Sequence, residues 1–317
     1  MFLLFGYLLK LWRRRQTPGA TATTDTAPTA ARPTAARATA TALTATAPTT
    51  TRPSAAARGP LALLAHQARY DTLASLRNPR ARFFTFMFPI LLLVIFAGVF
   101  GHSMTTVDGV RVHLSRYYVP GIMALSVITA SYAGLVITVS AARAAGVLKR
   151  RRATPVPPAI LVGGQVISTL VTAAITSVLL LVIARLGYGI GFSIGALGAV
   201  ACAVVVGTVT FACLGYAVAG MIGSPDAAQP IVQATTLPLF FISGVWIPTN
   251  NLPHALRTAG EIFPIEHLAA ALHLASVRGS FTAAFAPKDL LVLAVWAIAA
   301  GVFAARRFSW LPVTANA

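Results

Sequence analysis

AILVGGQVISTLVTAAITSVLLLVIA (159–184) and IGALGAVACAVVVGTVTFACLGYAVAGM (194–221) carry no Asp, Glu, Lys, Arg or His. Each exceeds the ~20 residues that cross ~30 Å of hydrocarbon as a helix. Lipid offers backbone groups no hydrogen-bond partners, so such stretches must satisfy themselves internally. Four more apolar stretches, 83–101, 118–141, 231–248 and 288–305, approach the same length. The stretch at 231–248, IVQATTLPLFFISGVWIP, is the weakest because Pro238 interrupts it, although neighbouring helices can satisfy a carbonyl freed by proline. Only 10% of the 317 residues are charged and 56% are hydrophobic. Soluble domains carry about 25% charged residues, so a water-soluble enzyme is excluded. Cys202 and Cys213 both lie within 194–221, which rules out a disulfide scaffold and a CxxC metal site. The expected fold is all-α, a polytopic membrane protein with six transmembrane helices in residues 83–310.

Upstream, the composition changes twice. Residues 61–82 alternate Leu63, Leu64, Tyr70, Leu73 and Leu76 with His66, Gln67, Arg69, Asp71, Arg77, Arg80 and Arg82 at near-helical spacing. That pattern predicts an interfacial amphipathic helix lying along the membrane before the first span. Residues 16–60 are almost wholly Ala, Thr, Pro and Arg. They lack the large apolar side chains that would offset the entropy of ordering, so residues 1–60 are expected to be a disordered cytoplasmic tail. Within it, MFLLFGYLLKLWRRR (1–15) has its arginines after the apolar run, whereas a secretory signal has them before. It reads as an interfacial anchor or as a start codon placed too far upstream, the second being preferred.

Orientation follows from the basic residues. With the N-terminus inside, 19 of the 25 Lys and Arg fall on the inner side and 6 on the outer. Omitting everything to residue 60 still leaves 11 against 6. Both termini are therefore expected to be cytoplasmic. The formal charge of +18 is then a topology signal beside an anionic leaflet, and nucleic acid is not an expected partner.

The chemistry available inside the membrane is sparse. No charged residue or histidine lies well within any stretch; Ser126, Thr129, Ser131, Thr138, Gln165, Ser168, Thr169, Thr172, Thr176, Thr208 and Thr210 are what remains. Hydroxyls of this kind bond between helices or to their own backbone, or line a translocation path. Ion-coupled carriers place titratable groups there, so the driving energy is expected from elsewhere. No GxxxxGK[ST] phosphate loop is present, and Gly163-Gly164 reads as a site of close helix packing rather than a nucleotide loop. Outside, His254, Glu261, Glu266, His267 and His273 share the 249–287 loop. Glu266-His267 and His273 together are one reading as a metal site, but without HExxH or similar spacing the signal is weak, and a membrane-surface loop with polar groups is the preferred reading.

SAARAAGVLKRRRATPVPPAILVGG (140–164) is the soluble segment best shaped for a partner. A helix-capable run, Ala141 to Leu148, leads into Lys149–Arg152 and stops at Thr154-Pro155. A short basic helix presenting Val147 and Leu148 suits a groove in another protein; setting topology is the alternative role.

Three blocks, in order, resemble the permease subunit of ABC-2 type transporters, of the daunorubicin-resistance kind. RNPRARFFTFMFPILLLVIFAGVFG (77–101) is similar to that family's entry into its first span. GVLKRRRATPVPPAILVGGQVI (146–167) resembles its cytoplasmic loop, and FFISGVWIPTNNLPHALRTAGEIFPIEHLAAALH (240–273) its outer segment after the fifth span. Ala144 and Ala145 depart from the family, which usually carries an acidic residue there.

The resemblance implies an exporter permease in a bacterial cell membrane. It would form the path for a hydrophobic or amphipathic compound, such as a drug, a lipid or a lipid-linked glycan. Two permease chains, identical or sister, would pair in the lipid bilayer. ATP and Mg would be bound by a separate ABC ATPase subunit, and this chain would hold no cofactor, no metal and no catalytic residue. Arg143, Gly146, Val147, Leu148, Lys149, Arg150, Arg151, Thr154 and Pro155 would form the ATPase-coupling loop. The outer loop, marked by Pro248, Pro253, Glu261, Pro264 and Glu266, would form short re-entrant helices. Two other classes are weighed against this one: an ion-gradient carrier, and a membrane-embedded enzyme using the 249–287 loop.

Overall fold

The computed structural model describes residues 59–77, 79, 83–107, 109–148, 157–249 and 252–307, all of which belong to one compact unit, Ser54–Ala317. The expected tail to residue 58, and Lys149, Arg150, Arg151, Thr154 and Pro155 of the loop, lie outside the described residues.

Helix α1 (Pro60–Arg77) precedes a hydrophobic helix α2 (Phe83–Phe100). A hairpin of β1 (Met104–Val107) and β2 (Val110–His113), antiparallel with Met104 opposite His113, leads into α3 (Leu114–Ala144). Then follow α4 (Pro158–Tyr188), α5 (Ile194–Met221), α6 (Ala228–Ile242), α7 (His254–Gly260), α8 (Pro264–Val277), α9 (Phe281–Ala284) and α10 (Pro287–Arg307). The two four-residue strands are a small departure from an all-α fold.

Among the described residues, five helices, α2, α3, α4, α5 and α10, are long and apolar enough to cross a membrane. The stretch at 231–248, expected as a sixth span, yields only the 15 residues of α6, roughly 22 Å at 1.5 Å per residue. Pro238 lies inside that helix without ending it. The helix stops instead at Ser243, and Ser243 to Val245 are buried without helical form. Gly244 takes the left-handed φ of +70 there, and its carbonyl is taken by two side chains from distant parts of the chain, described below, which hold it out of the helical path.

The centre of the bundle is α3, 67% of whose apolar window is buried, against 17% for α2 and for α10 at the periphery. Its middle widens into a π turn at Thr129–Ala133, a form that recurs at functional positions in helices. Tyr132 of that turn shares a hydrogen bond with Thr235 of α6, 2.9 Å. Phe96 of α2 packs 5.0 Å, ring to ring, from both Tyr118 of α3 and Trp246 beyond α6. Aromatic pairs at such separations add about 0.5–1.5 kcal/mol to plain burial.

Candidate functional site

Two ends of the bundle carry the polar chemistry. At one, α3 ends at Ala144 and Gly146 adopts φ +66, a left-handed conformation that favours glycine and terminates helices. The expected continuous helix from Ala141 to Leu148 is therefore broken, with Val147 and Leu148 starting a fresh turn. Leu148 is half-buried and packs against a cluster formed by Leu135, Val139, Ala212, Tyr216 and Ala219 of α3 and α5, a cluster that Val162 and Val166 of α4 and Ala304 of α10 also cover. Expected as a side chain presented outward, it is partly a contact within its own chain. Val147 is half-buried as well.

Arg143 departs further from a docking surface. It is 3% exposed, and its Nη2 donates to the Ile222 carbonyl at the end of α5. Its Nη1 and the Ser140 hydroxyl, one turn earlier, have no partner among the described residues. Arg143 thus joins the ends of two long helices. Beside this end, α1 lies on the start of α4. A Cβ on Gly164 would stand 2.5 Å from Gln67 Cγ and 3.3 Å from the Ala68 nitrogen, so the glycine pair serves close packing. Gln67 Nε2 donates to Asp71 at 2.9 Å on the same buried face.

At the opposite end, short helices cap the bundle. Pro253 is the N-cap of α7 and Pro264 the first residue of α8, positions where the missing N–H costs nothing. Pro248 and Pro264 are buried and Pro253 is exposed. The exposed Glu261 pairs with Arg257 at 3.5 Å. Arg116 at the start of α3 donates through Nε and Nη2 to the Ser276 carbonyl, 2.9 and 2.6 Å, fastening α8 to α3. Tyr117 donates to the Gly244 carbonyl, which also accepts from His273 Nε2 at 3.2 Å, and the two rings stack 4.2 Å apart. Burial drives the His273 pKa down to about 4.

His273 is therefore not in the group formed by Glu266 and His267, as their nearness in sequence had suggested. That group's third member is Asp289, from the start of α10. His267 Nδ1 lies 2.7 Å from Asp289 Oδ1, and its Nε2 donates to the Glu261 carbonyl at 2.9 Å. The Asp289 carboxylate, more than any other cause, raises the His267 pKa. Glu266 Oε2 stands 3.7 Å from the same Nδ1, and burial raises its carboxyl pKa.

Between the ends, most hydroxyls bond their own backbone. Ser131, Thr172, Thr176 and Thr208 each donate to a carbonyl one turn back. Thr210 also reaches the Leu293 carbonyl of α10 at 3.0 Å. These groups are satisfied locally and outline no path. The Ser177 hydroxyl of α4 has no partner among the described residues, and α6 presents an exposed strip of Gln229, Pro230, Gln233, Ala234, Leu237, Pro238 and Phe241. The sequence pattern did not single out these two glutamines; their spacing of one helical turn was the available signal.

A family model described as ABC-2 type transporter matches residues 66–275, from α1 to the end of α8. No curated protein matches the chain. The matched range covers well over half of the sequence and takes in both the basic loop and the cap, so the chain belongs to the ABC-2 type transporter family, as a membrane permease component.

Proposed function

We propose that the chain is the permease of an ATP-driven exporter, moving a hydrophobic or amphipathic compound across a bacterial cell membrane, with both termini cytoplasmic. A separate ABC ATPase binds ATP and Mg and docks on the loop from Gly146 to Pro155, with Arg143 anchoring its base inside the bundle. Two permease chains enclose the path along their α6 faces.

The observation that supports this reading is the packing of Leu148 against the buried cluster of α3 and α5, together with the Arg143 contact to Ile222. A force on the loop reaches the ends of α3 and α5 together, and packed helices respond as rigid bodies rather than by continuous deformation. Among the described residues, the spans have no titratable side chain in their mid-portions apart from Tyr132, Cys202 and Cys213, which favours energy supplied by a partner over an ion gradient.

The test is co-purification of the chain in detergent with the ATPase encoded beside it, followed by reconstitution. Val147→Asp, and separately Leu148→Asp, should leave ATP hydrolysis measurable while lowering transport per ATP at least about tenfold. Normal coupling in both variants would remove the loop assignment. A folded protein that retains no ATPase at all would point to a self-sufficient carrier.

A further inference from the structure

Glu266 and Asp289 occupy equivalent places, each two residues beyond the proline that begins its helix, Pro264 in α8 and Pro287 in α10. Carboxylates in a helix's first turn are favoured by the axial dipole. Here the two first turns meet, and both carboxylates are largely withdrawn from solvent, with side chains 17% and 22% exposed. Among the described residues, His267 is the one cationic group within ion-pairing distance of either. Arg257 acts on Glu266 only from a distance and is itself paired with Glu261, so two carboxylates share one imidazole at close range in a poorly solvated place, an arrangement stabilised by pairing or by a metal.

The imidazole is already set as a ligand. Nε2 is committed as a donor to the Glu261 carbonyl, which can only accept. Backbone carbonyls fix metal-binding histidines in this way, orienting the ring and leaving the other nitrogen to the ion. That other nitrogen, Nδ1, faces Asp289 Oδ1 at 2.7 Å and Glu266 Oε2 at 3.7 Å, and all three ligand atoms lie within 4.8 Å of one another. Ligands about 2.0–2.2 Å from a tetrahedral zinc stand roughly 3.3–3.6 Å apart. The 2.7 Å contact would open by less than about 1 Å to admit the ion, and the 3.7 Å contact would barely change.

We propose that Glu266, His267 and Asp289 form a binding site for a divalent transition-metal ion of the zinc class, at the end of the bundle opposite the basic loop. On binding, the proton on Nδ1 leaves to solvent and the neutral imidazole donates its lone pair. Two carboxylates then balance the charge of the ion, and water completes the tetrahedron. Calcium, which takes six to eight oxygens, and magnesium, which demands a near-octahedral oxygen shell, do not fit one nitrogen and two carboxylates. The ion would tie the start of α8 to the start of α10, locking the cap to the last span. This site is independent of which compound is transported and of which ATPase docks.

The experiment uses the full chain in detergent, stripped with a chelator and free of any histidine tag, titrated with Zn2+ against a fluorescent zinc chelator. One equivalent should bind per chain. Glu266→Gln and Asp289→Asn should each weaken it about tenfold or more, the scale on which such sites lose affinity. Glu266→Gln is the decisive variant because Glu266 makes no part of the 2.7 Å His267–Asp289 contact. Zinc held by the His267–Asp289 pair alone would be indifferent to it. Millimolar Ca2+ or Mg2+ should not displace the zinc. Absence of stoichiometric binding, affinity unchanged in Glu266→Gln, or displacement by Ca2+ would each overturn the proposal, leaving a hydrogen-bonded ion pair only.

Discussion

His273 is enclosed completely, stacked on Tyr117, with Nε2–H given to the Gly244 carbonyl and Nδ1 without a partner among the described residues. Protonating Nδ1 would bury a cation with nothing to receive its hydrogen bond, which is why its pKa falls to about 4. The unfolded chain's histidine titrates near 6.5. Between about pH 6.5 and pH 4 the unfolded state holds the extra proton, so stability falls as pH falls through that window. The melting temperature in detergent should therefore decline from pH 7 to pH 5, and His273→Gln, which keeps a donor for Gly244, should flatten that decline. An unaltered slope in the variant would mean that other groups govern it. At this scale the sequence shows Glu266 and His267 as neighbours, but nothing in it couples His267 to Asp289, 22 residues on. Nor does it separate His273 from them, since only the turn of α8 decides which side each ring faces. Arg143 is equally opaque: its place in a basic loop suggests docking, and its burial depends on the distant Ile222 carbonyl.

The long helices α4, α5 and α10 are legible because length and uniform apolarity admit one structure in lipid. The shorter elements depend on tertiary contacts. Helix α1 shows this. Its alternation predicts an apolar face toward lipid, for which Leu61 and Tyr70, 79% and 64% exposed, are free, whereas the side buried on the protein is that of Ala68 and Asp71. What fixes its place is the missing side chain at Gly164, which lets Gln67 and Ala68 approach α4. Gly164→Leu should destabilise by about 1–3 kcal/mol, the usual cost of overpacking. If the helix is released as a unit, trypsin should cut faster at Arg69 and Arg77, and Gly187→Leu, where a Cβ meets nothing within 4 Å, should change neither. Equal protection in Gly164→Leu would show that α1 is held by other contacts. For α6 the hydropathy of 231–248 marks an apolar stretch, but the regular helix within it is shorter than the stretch. The break at Ser243 comes from Tyr117 and His273 capturing Gly244, two partners far away in the chain.

On the scale of the whole molecule, the exposed strip of α6 sets a requirement that a single chain does not meet. Leu237 and Phe241 on it are 53% and 49% exposed and would be content in lipid, but Gln229 and Gln233 would not. An amide with no partner in hydrocarbon is costly, so the strip must face water or another polar surface. A two-fold axis beside α6 provides both, because an isologous contact brings the same residues of two copies together and leaves a shared cleft between them. Cysteines placed near such an axis should cross-link to themselves. In a background with Cys202 and Cys213 replaced by Ser, Gln233→Cys should give an oxidised dimer in membranes. Val178→Cys on α4, 58% exposed but on a different helix, should remain monomeric. On the proposed coupling, closure of an ATPase pair would move the two α6 helices relative to each other, so adding the partner ATPase and a non-hydrolysable nucleotide should alter the yield at Gln233. If Gln233→Cys stays monomeric while a copy bearing it pairs with a sister permease, the path is built from two different chains. Should Val178→Cys cross-link as readily as Gln233→Cys, collision in the bilayer would explain both, and the α6 face would lose its claim to the interface.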